Sequence, residues 1–268
     1  MTNSHAHTYE TGPFRAHQIE DGSPYELSNG HAIHCMTAGG RHGSRQLDGG
    51  KVLGTDPKVK GNAGIDVGYT WNDGENLRAP DLVVGNVERD VPGWQTKPPL
   101  LAVEYADKGQ DEQELQKKIR ELLEAGTQYF WVVRLQGPLR VEVYERNKPI
   151  QIVGADDKLY APDVLSNPVS VRSLVDEGEA NRAALTNLLN REGYQNLDEV
   201  RAEGRVEGRT EGELLGQAKA LLLILKGRNL VVSEVVEQRI FACKDAAQMT
   251  RWLARSVHAA SAEDVVEA

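Results

Sequence analysis

Short apolar runs separated by turn residues fill the first part of the chain, and their composition marks them as strands. Residues 31–36 alternate weakly. Residues 64–71 read as one strand closed by the turn Asn72-Asp73-Gly74. Residues 81–85 (DLVVG) and 100–105 (LLAVEY) are short, dense apolar runs. Residues 129–135 (YFWVVRL) and 139–144 (LRVEVY) meet across Gln136-Gly137-Pro138, a good hairpin turn, and a last short strand falls at 150–153. Between the second and third dense runs lies one amphipathic helix, about 111–125. Leu115, Ile119, Leu122 and Leu123 form its buried stripe at 100° intervals, and Gly126 stands where a C-cap belongs. Strand, helix, strand in that order predicts an α/β core with a parallel pair inside a mixed sheet.

The pattern changes past residue 163. Pro162, Asn167 and Pro168 break any regular element, and from residue 171 onward proline is absent and charged, helix-forming stretches take over. This divides the chain into a flexible tail (1–20), an α/β domain (21–165), a charged helical spacer (166–216) and a small α-helical module (217–268). The spacer carries a tandem repeat: Glu203-Gly204-Arg205, Glu207-Gly208-Arg209, Glu211-Gly212-Glu213. Its Glu and Arg can pair along a helix surface, while each glycine costs about 1 kcal/mol of helix stability. Residues 218–225 are strongly apolar, with Leu221, Leu222 and Leu223 read as buried core. Residues 231–243 and 246–257 have helical spacing, and Ser261 before Glu263 and Asp264 reads as one more N-cap. Such a module suits packing or self-association, that is, a homo-oligomer formed through the tail.

Charge narrows the picture. Lys and Arg number 31 against 40 Asp and Glu, a net charge of −9. That balance argues against a protein that coats nucleic acid nonspecifically, but leaves room for local contact with DNA. No apolar run approaches the roughly 20 residues of a membrane helix, so no membrane partner is expected. The start MTNSHAHTYE has neither the basic nor the apolar stretch of a signal peptide. Cys35 and Cys243 make neither a disulfide framework nor a metal cluster, and a cytoplasmic location fits best. His5, His7 and His17 read as tail. Gly39-Gly40 and Gly49-Gly50 read as loop glycines without a phosphate-binding pattern. Tyr129 and Trp131 are core aromatics.

Two carboxylates stand out against this background. Asp81 opens one apolar strand, and Glu104 sits inside another, between Val103 and Tyr105. Either alone is ordinarily a strand-edge group pointing at water. A carboxylate in a run fit for burial, however, is expensive to desolvate without a partner or a metal. Two of them at the ends of neighbouring strands would make a hard-oxygen site for Mg²⁺ or Mn²⁺. On the following helix Lys118 falls at the edge of the buried stripe, beside Asp111 and Glu114, whereas Lys117 points to solvent. Spacing alone leaves two uses for Lys118 equally open: a snorkelling partner of Glu114, or a group reaching over the Glu104 strand.

The strings PDLVV, PPLLAVEY, EAGTQYFWVV and LRVEVYE, with YELSNGHAIHCMTAGGRHG upstream, resemble the Uma-type putative restriction endonuclease family of the PD-(D/E)xK nuclease superfamily, over about residues 25–145. The resemblance implies a restriction-endonuclease-like mixed β-sheet core flanked by helices, here followed by an α-helical C-terminal tail. It implies a metal-dependent endonuclease acting on nucleic acid, in the first place DNA. Asp81 and Glu104 would bind Mg²⁺ (or Mn²⁺), with the main-chain carbonyl of Tyr105 beside them, and Lys118 would be the catalytic lysine. Ala106 stands where a compact E-x-K triplet would place that lysine. In this family the lysine sits instead in the following helix, fourteen residues beyond the glutamate, where Lys118 matches. Glu26 and His42 match family positions near the site, as an added carboxylate or a phosphate-facing donor, while as bare residues Glu26 reads as a surface group and His42 as a satisfied helix-start histidine. Glu114 stands where the family has Asp. Asp107-Lys108-Gly109 replaces a Ser/Thr-rich turn and Leu122 a helix Tyr, which brings Lys108 in as an alternative lysine. Arg41, Arg45, Lys51, Lys58 and Lys60 would supply phosphate-backbone contacts. The repeat-bearing tail is similar to those of transposase-associated members of the superfamily. The competing reading is a catalytically lapsed nuclease fold that serves as an interaction or oligomerisation module.

Overall fold

Alternating and unbroken apolar runs become strands wherever both faces find cover. The computed structural model describes residues 12–35, 39–109 and 111–267. The chain forms two units, the first running to Gln195 and the second starting at Asn196. In the first, β1 (Tyr25–Ser28) and β2 (His31–His34) precede α1 (Gly40–Thr55). There follow β3 (Ala63–Ile65), β4 (Tyr69–Trp71), β5 (Asn76–Arg78), β6 (Leu82–Val84) and β7 (Leu101–Ala106). Helix α2 (Glu112–Ala125) leads to β8 (Tyr129–Arg134), β9 (Arg140–Glu145) and β10 (Gln151–Gly154). The short strands β11 (Lys158–Leu159) and β12 (Val169–Ser170) then precede α3 (Glu177–Arg191).

The main sheet has the order β10-β9-β8-β7-β6-β3, and β2-β1-β5-β4 form a second, four-stranded sheet. Within the main sheet only β7 and β8 run parallel, joined by α2 as the sequence order required. Every residue of β7 is buried, because both faces are covered. On one face Ala102, Ala106, Phe130 and Val132 pack with Leu115, Ile119 and Leu122 of α2. On the other, Val103, Tyr105 and Trp131 pack with Val52 and Leu53 of α1 and Ala180 of α3. Asp111 caps α2 by accepting from the amides of Gln113 and Glu114, and Gly126 ends it at φ 126°.

Tertiary packing corrects several sequence expectations. The strand expected over 64–71 divides between the two sheets, because Asp66 turns the chain at φ 51° and Gly68 lies against the Trp94 ring. Gly40, Gly49 and Gly50 are not in a loop but in α1; a Cβ on Gly49 would overlap the Tyr105 hydroxyl, so glycine there lets helix and sheet approach. Of the tail expected over 1–20, Ala16 is buried and Phe14 donates its amide to Gly30 O (2.7 Å); His17 is exposed, while His5 and His7 lie outside the described residues. Met36, expected in a strand, also lies outside them. The boundary expected near 165 falls inside the first unit. Val169, Val171, Leu174 and Ala180 belong to its core, and Asn187 of α3 donates to Val52 O at 3.0 Å.

The second unit opens on α4 (Leu197–Gly227), 31 residues that run from the repeat into the apolar stretch without a break. Arg209 and Glu213 pair along it at 2.8 Å. Leu221 and Leu222 join a core with residues of α5 (Glu234–Ala242), α6 (Ala246–Arg255) and α7 (Ala262–Val266), whereas Leu223, expected in that core, is 73% exposed. Ser261 and Asp264 form the expected cap of α7. No helix among the described residues is long and apolar enough to cross a membrane.

Candidate active site

Strand register brings the two acids together. Leu82 of β6 pairs with Val103 of β7 in antiparallel register. Carried one step past the end of β6, the same register sets Asp81 across from Glu104 at the strand end, where Asp81 meets His42 of α1 and Glu104 meets Lys118 of α2. Asp81 is fixed from two sides: its Oδ2 accepts from the Tyr105 amide at 2.6 Å, and its Oδ1 lies 3.0 Å from His42 Nε2. Gln46 of α1 donates to the Asp81 carbonyl at 2.8 Å and to Asp66 Oδ1 at 2.9 Å, which puts a further carboxylate beside the rim.

Lys118 reaches this rim from α2. Its Nζ lies 2.5 Å from Glu104 Oε1 and donates to Glu26 Oε1 and to the Ala79 carbonyl, both at 2.8 Å. Lys117, one residue earlier, faces outward and sits 3.7 Å from Glu114. The ammonium thus makes two hydrogen bonds and one ion pair. Burial lowers the affinity of Lys118 for its proton, but the Glu104 and Glu26 carboxylates outweigh this and hold the group well above the usual lysine range. Burial pushes the Glu104 carboxyl up to about 8, against the opposing pull of Lys118 and with the help of the Asp81 charge. Its Oε1 is buried and receives no directed hydrogen bond. His42 is raised chiefly by its hydrogen bond to Asp81.

The remaining candidates separate. Glu26 is buried in β1 and committed to Lys118, Arg78 and the Ala79 amide, so it faces the lysine and not the open rim. His42 commits Nε2 to Asp81, so that nitrogen is not free for a phosphate. Glu114 does not pair with Lys118; its neighbours are Lys117 and Arg78. Lys108 is exposed in the loop after β7. Most of the cationic stretch is tied down locally: Arg45 and Lys51 lie on Asp48, and Lys58 donates to the Pro162 carbonyl. Arg41 is engaged as well: it lies 3.4 Å from Asp107 and donates to the Leu135 carbonyl. Arg78 and Asp66 escaped the sequence reading. Arg78 carried no signal of the kind that singled out Glu104, since it stands in the polar segment Glu75-Asn76-Leu77-Arg78-Ala79-Pro80-Asp81 and only packing buries it.

Among the described residues no three or more His, Cys, Asp or Glu side chains form a metal cage. A pair of carboxylates is nevertheless a fitting donor set for Mg²⁺, which keeps several waters and is held by one or two carboxylates. Both members have capacity left. Asp81 uses one lone pair on each oxygen, and Glu104 Oε1 accepts no directed bond.

Comparison with known proteins adds the lineage. The family model described as putative restriction endonuclease (Uma2) matches residues 13–172. Among solved structures the chain is similar to a putative nuclease belonging to DUF820 from Anabaena variabilis ATCC 29413, at 20% identity and a TM-score of 0.49, covering 58% of this chain and 90% of that one. No curated protein matches the sequence.

Proposed function

Because the chain belongs to the Uma2 putative restriction endonuclease family, we propose that it is a divalent-metal-dependent endonuclease that hydrolyses phosphodiester bonds in DNA. The observation that carries the reading is the buried Glu104, opposite Asp81 and 2.5 Å from Lys118. A carboxylate this costly to bury is kept where its charge is used.

Asp81 and Glu104 would hold Mg²⁺ (or Mn²⁺). Such an ion, when bound, polarises the scissile phosphate and lowers the pKa of water. The Tyr105 amide and His42 orient Asp81, so its oxygens need not reorganise on binding. Lys118, held as an ammonium, offsets negative charge as phosphorus gains a bond; it is not the base. Arg41, whose side chain stays exposed beside Asp107 and the Leu135 carbonyl, would offer its guanidinium to a backbone phosphate. Self-association through the C-terminal unit and a cytoplasmic setting, in which the free thiols of Cys35 and Cys243 persist, complete the proposal.

The test is nicking of supercoiled DNA with Mg²⁺ or Mn²⁺ by wild type, Asp81→Ala and Glu104→Ala. Loss of one such charge-stabilising group is expected to cost on the order of 10²-fold or more. Equal activity in all three proteins refutes the assignment.

A further inference from the structure

A row of alternating charges runs inward from Lys118. Beyond Glu26 stands Arg78, the last residue of β5 and only 1% exposed. Its Nη1 donates to Glu26 Oε2 at 3.0 Å and its Nε to Glu121 Oε2 at 2.7 Å, while Ser28 donates to the other oxygen of Glu121. Glu26 in turn accepts from Lys118 on Oε1. The order is Glu121, Arg78, Glu26, Lys118, Glu104, drawn from α2, β5, β1, α2 and β7. The planar guanidinium bridges two carboxylates on separate elements, which a lysine's point charge cannot do with the same geometry.

A buried guanidinium between two acids is by itself a structural feature. This one shares Glu26 with the lysine, and therein lies its consequence. Glu26 has two cations to serve, one on each oxygen. With Arg78 in place, Lys118 supplies only part of the compensation at Glu26 and is free to lie against Glu104. Without Arg78, Glu26 is a buried carboxylate whose one remaining cation is Lys118, and the ammonium is drawn away from Glu104.

We propose that Arg78 is a positioning residue which, through Glu26, holds the Lys118 ammonium against Glu104. This rests on the proposed nuclease site for its purpose, and the four-stranded sheet that supplies Glu26 and Arg78 becomes the outer support of that site.

The experiment is NMR of the ¹⁵N-labelled full chain, reading proton exchange of the Lys118 ammonium, with the amides of β7 and β8 as the structural reference. In Arg78→Met the ammonium is expected to exchange about tenfold faster while those amides stay within about twofold of wild type, and Mn²⁺ affinity by calorimetry to fall roughly tenfold, the usual size of an outer-shell loss. Arg78→Lys, which keeps a charge beside Glu26 without the fork to Glu121, should fall between the two. Unchanged ammonium exchange in folded Arg78→Met overturns the proposal, as does acceleration of ammonium and amides together. Should Arg78→Met not fold, Arg78→Lys decides: faster ammonium exchange supports the proposal, and wild-type exchange overturns it. If wild type binds no Mn²⁺, the nuclease reading fails while ammonium exchange still decides the positioning role.

Discussion

Glu104 gives up its proton less readily in the folded chain than in the unfolded one, although the Lys118 ammonium beside it opposes the shift. Burial raises its carboxyl to about 8, so between the ordinary glutamate value and about pH 8 the native state binds more protons than the unfolded one. Stability contributed at this position therefore falls as pH rises through that window. A divalent cation held by Asp81 and Glu104 removes the penalty. The rise in Tm on adding Mn²⁺ should thus be larger at roughly pH 8 than at roughly pH 5, by differential scanning fluorimetry, and Glu104→Gln should abolish the difference. Glu26 runs the other way: burial raises it, but Lys118 and Arg78 prevail and hold it low. Its contribution is present above the ordinary glutamate range and is lost as pH falls through its folded value. The contrast explains why Glu104 was legible in sequence and Glu26 was ambiguous. A carboxylate inside LLAVEY announces its own desolvation, whereas YELS has the composition of a surface strand and only packing against α2 buries it.

At the scale of elements, α1 is held to the sheet by a glycine contact. Gly49→Ala would drive a methyl group into the Tyr105 hydroxyl and to within 2.8 Å of Leu82 Cδ1. The expected loss, read by urea denaturation, is about 1–3 kcal/mol, and His42, on the same helix, should shift from Asp81 with a matching fall in nicking. The glycines of α4 behave oppositely. Gly204, Gly208 and Gly212 have open space around the position a Cβ would take, so replacing one by alanine should stabilise the helix by about 1 kcal/mol. Slower amide exchange along α4 in the full chain would register it, and unchanged exchange would show that something outside this helix sets its stability. Sequence periodicity recovered α2 with its C-cap Gly126 and the strands β6 to β10, because these depend on local pattern and turn chemistry. It did not frame α1, where only the family resemblance set a helix start at His42, because the glycine-rich GRHGSRQLDGG run suggests a loop until its apolar side finds the sheet.

For the whole molecule, the boundary expected from composition and the boundary set by packing differ by some thirty residues. A chain ending at Gln195 keeps α3, whose Ala180 and Asn187 complete the first unit; one ending at residue 165 loses these together with Val169, Val171 and Leu174. The first truncation should give a cooperative thermal transition by circular dichroism and the second should not. Proline loss near residue 168 marked a change in secondary structure, and no local signal said which core the helix beyond it would join. The sequence by itself determined the α/β order, the parallel pair and the caps at Gly126 and Ser261, since each is written in periodicity, composition or spacing; it marked Asp81 and Glu104 as carboxylates in runs fit for burial and left Lys118 two uses, and only the resemblance to the Uma-type family joined the three. Tertiary structure alone decided that Asp81 stands opposite Glu104, that Lys118 turns to Glu26 and Ala79 instead of Glu114, and that Arg78 lies behind them. Those are pairings across long loops, and they are set by register and burial, which no short window of sequence contains.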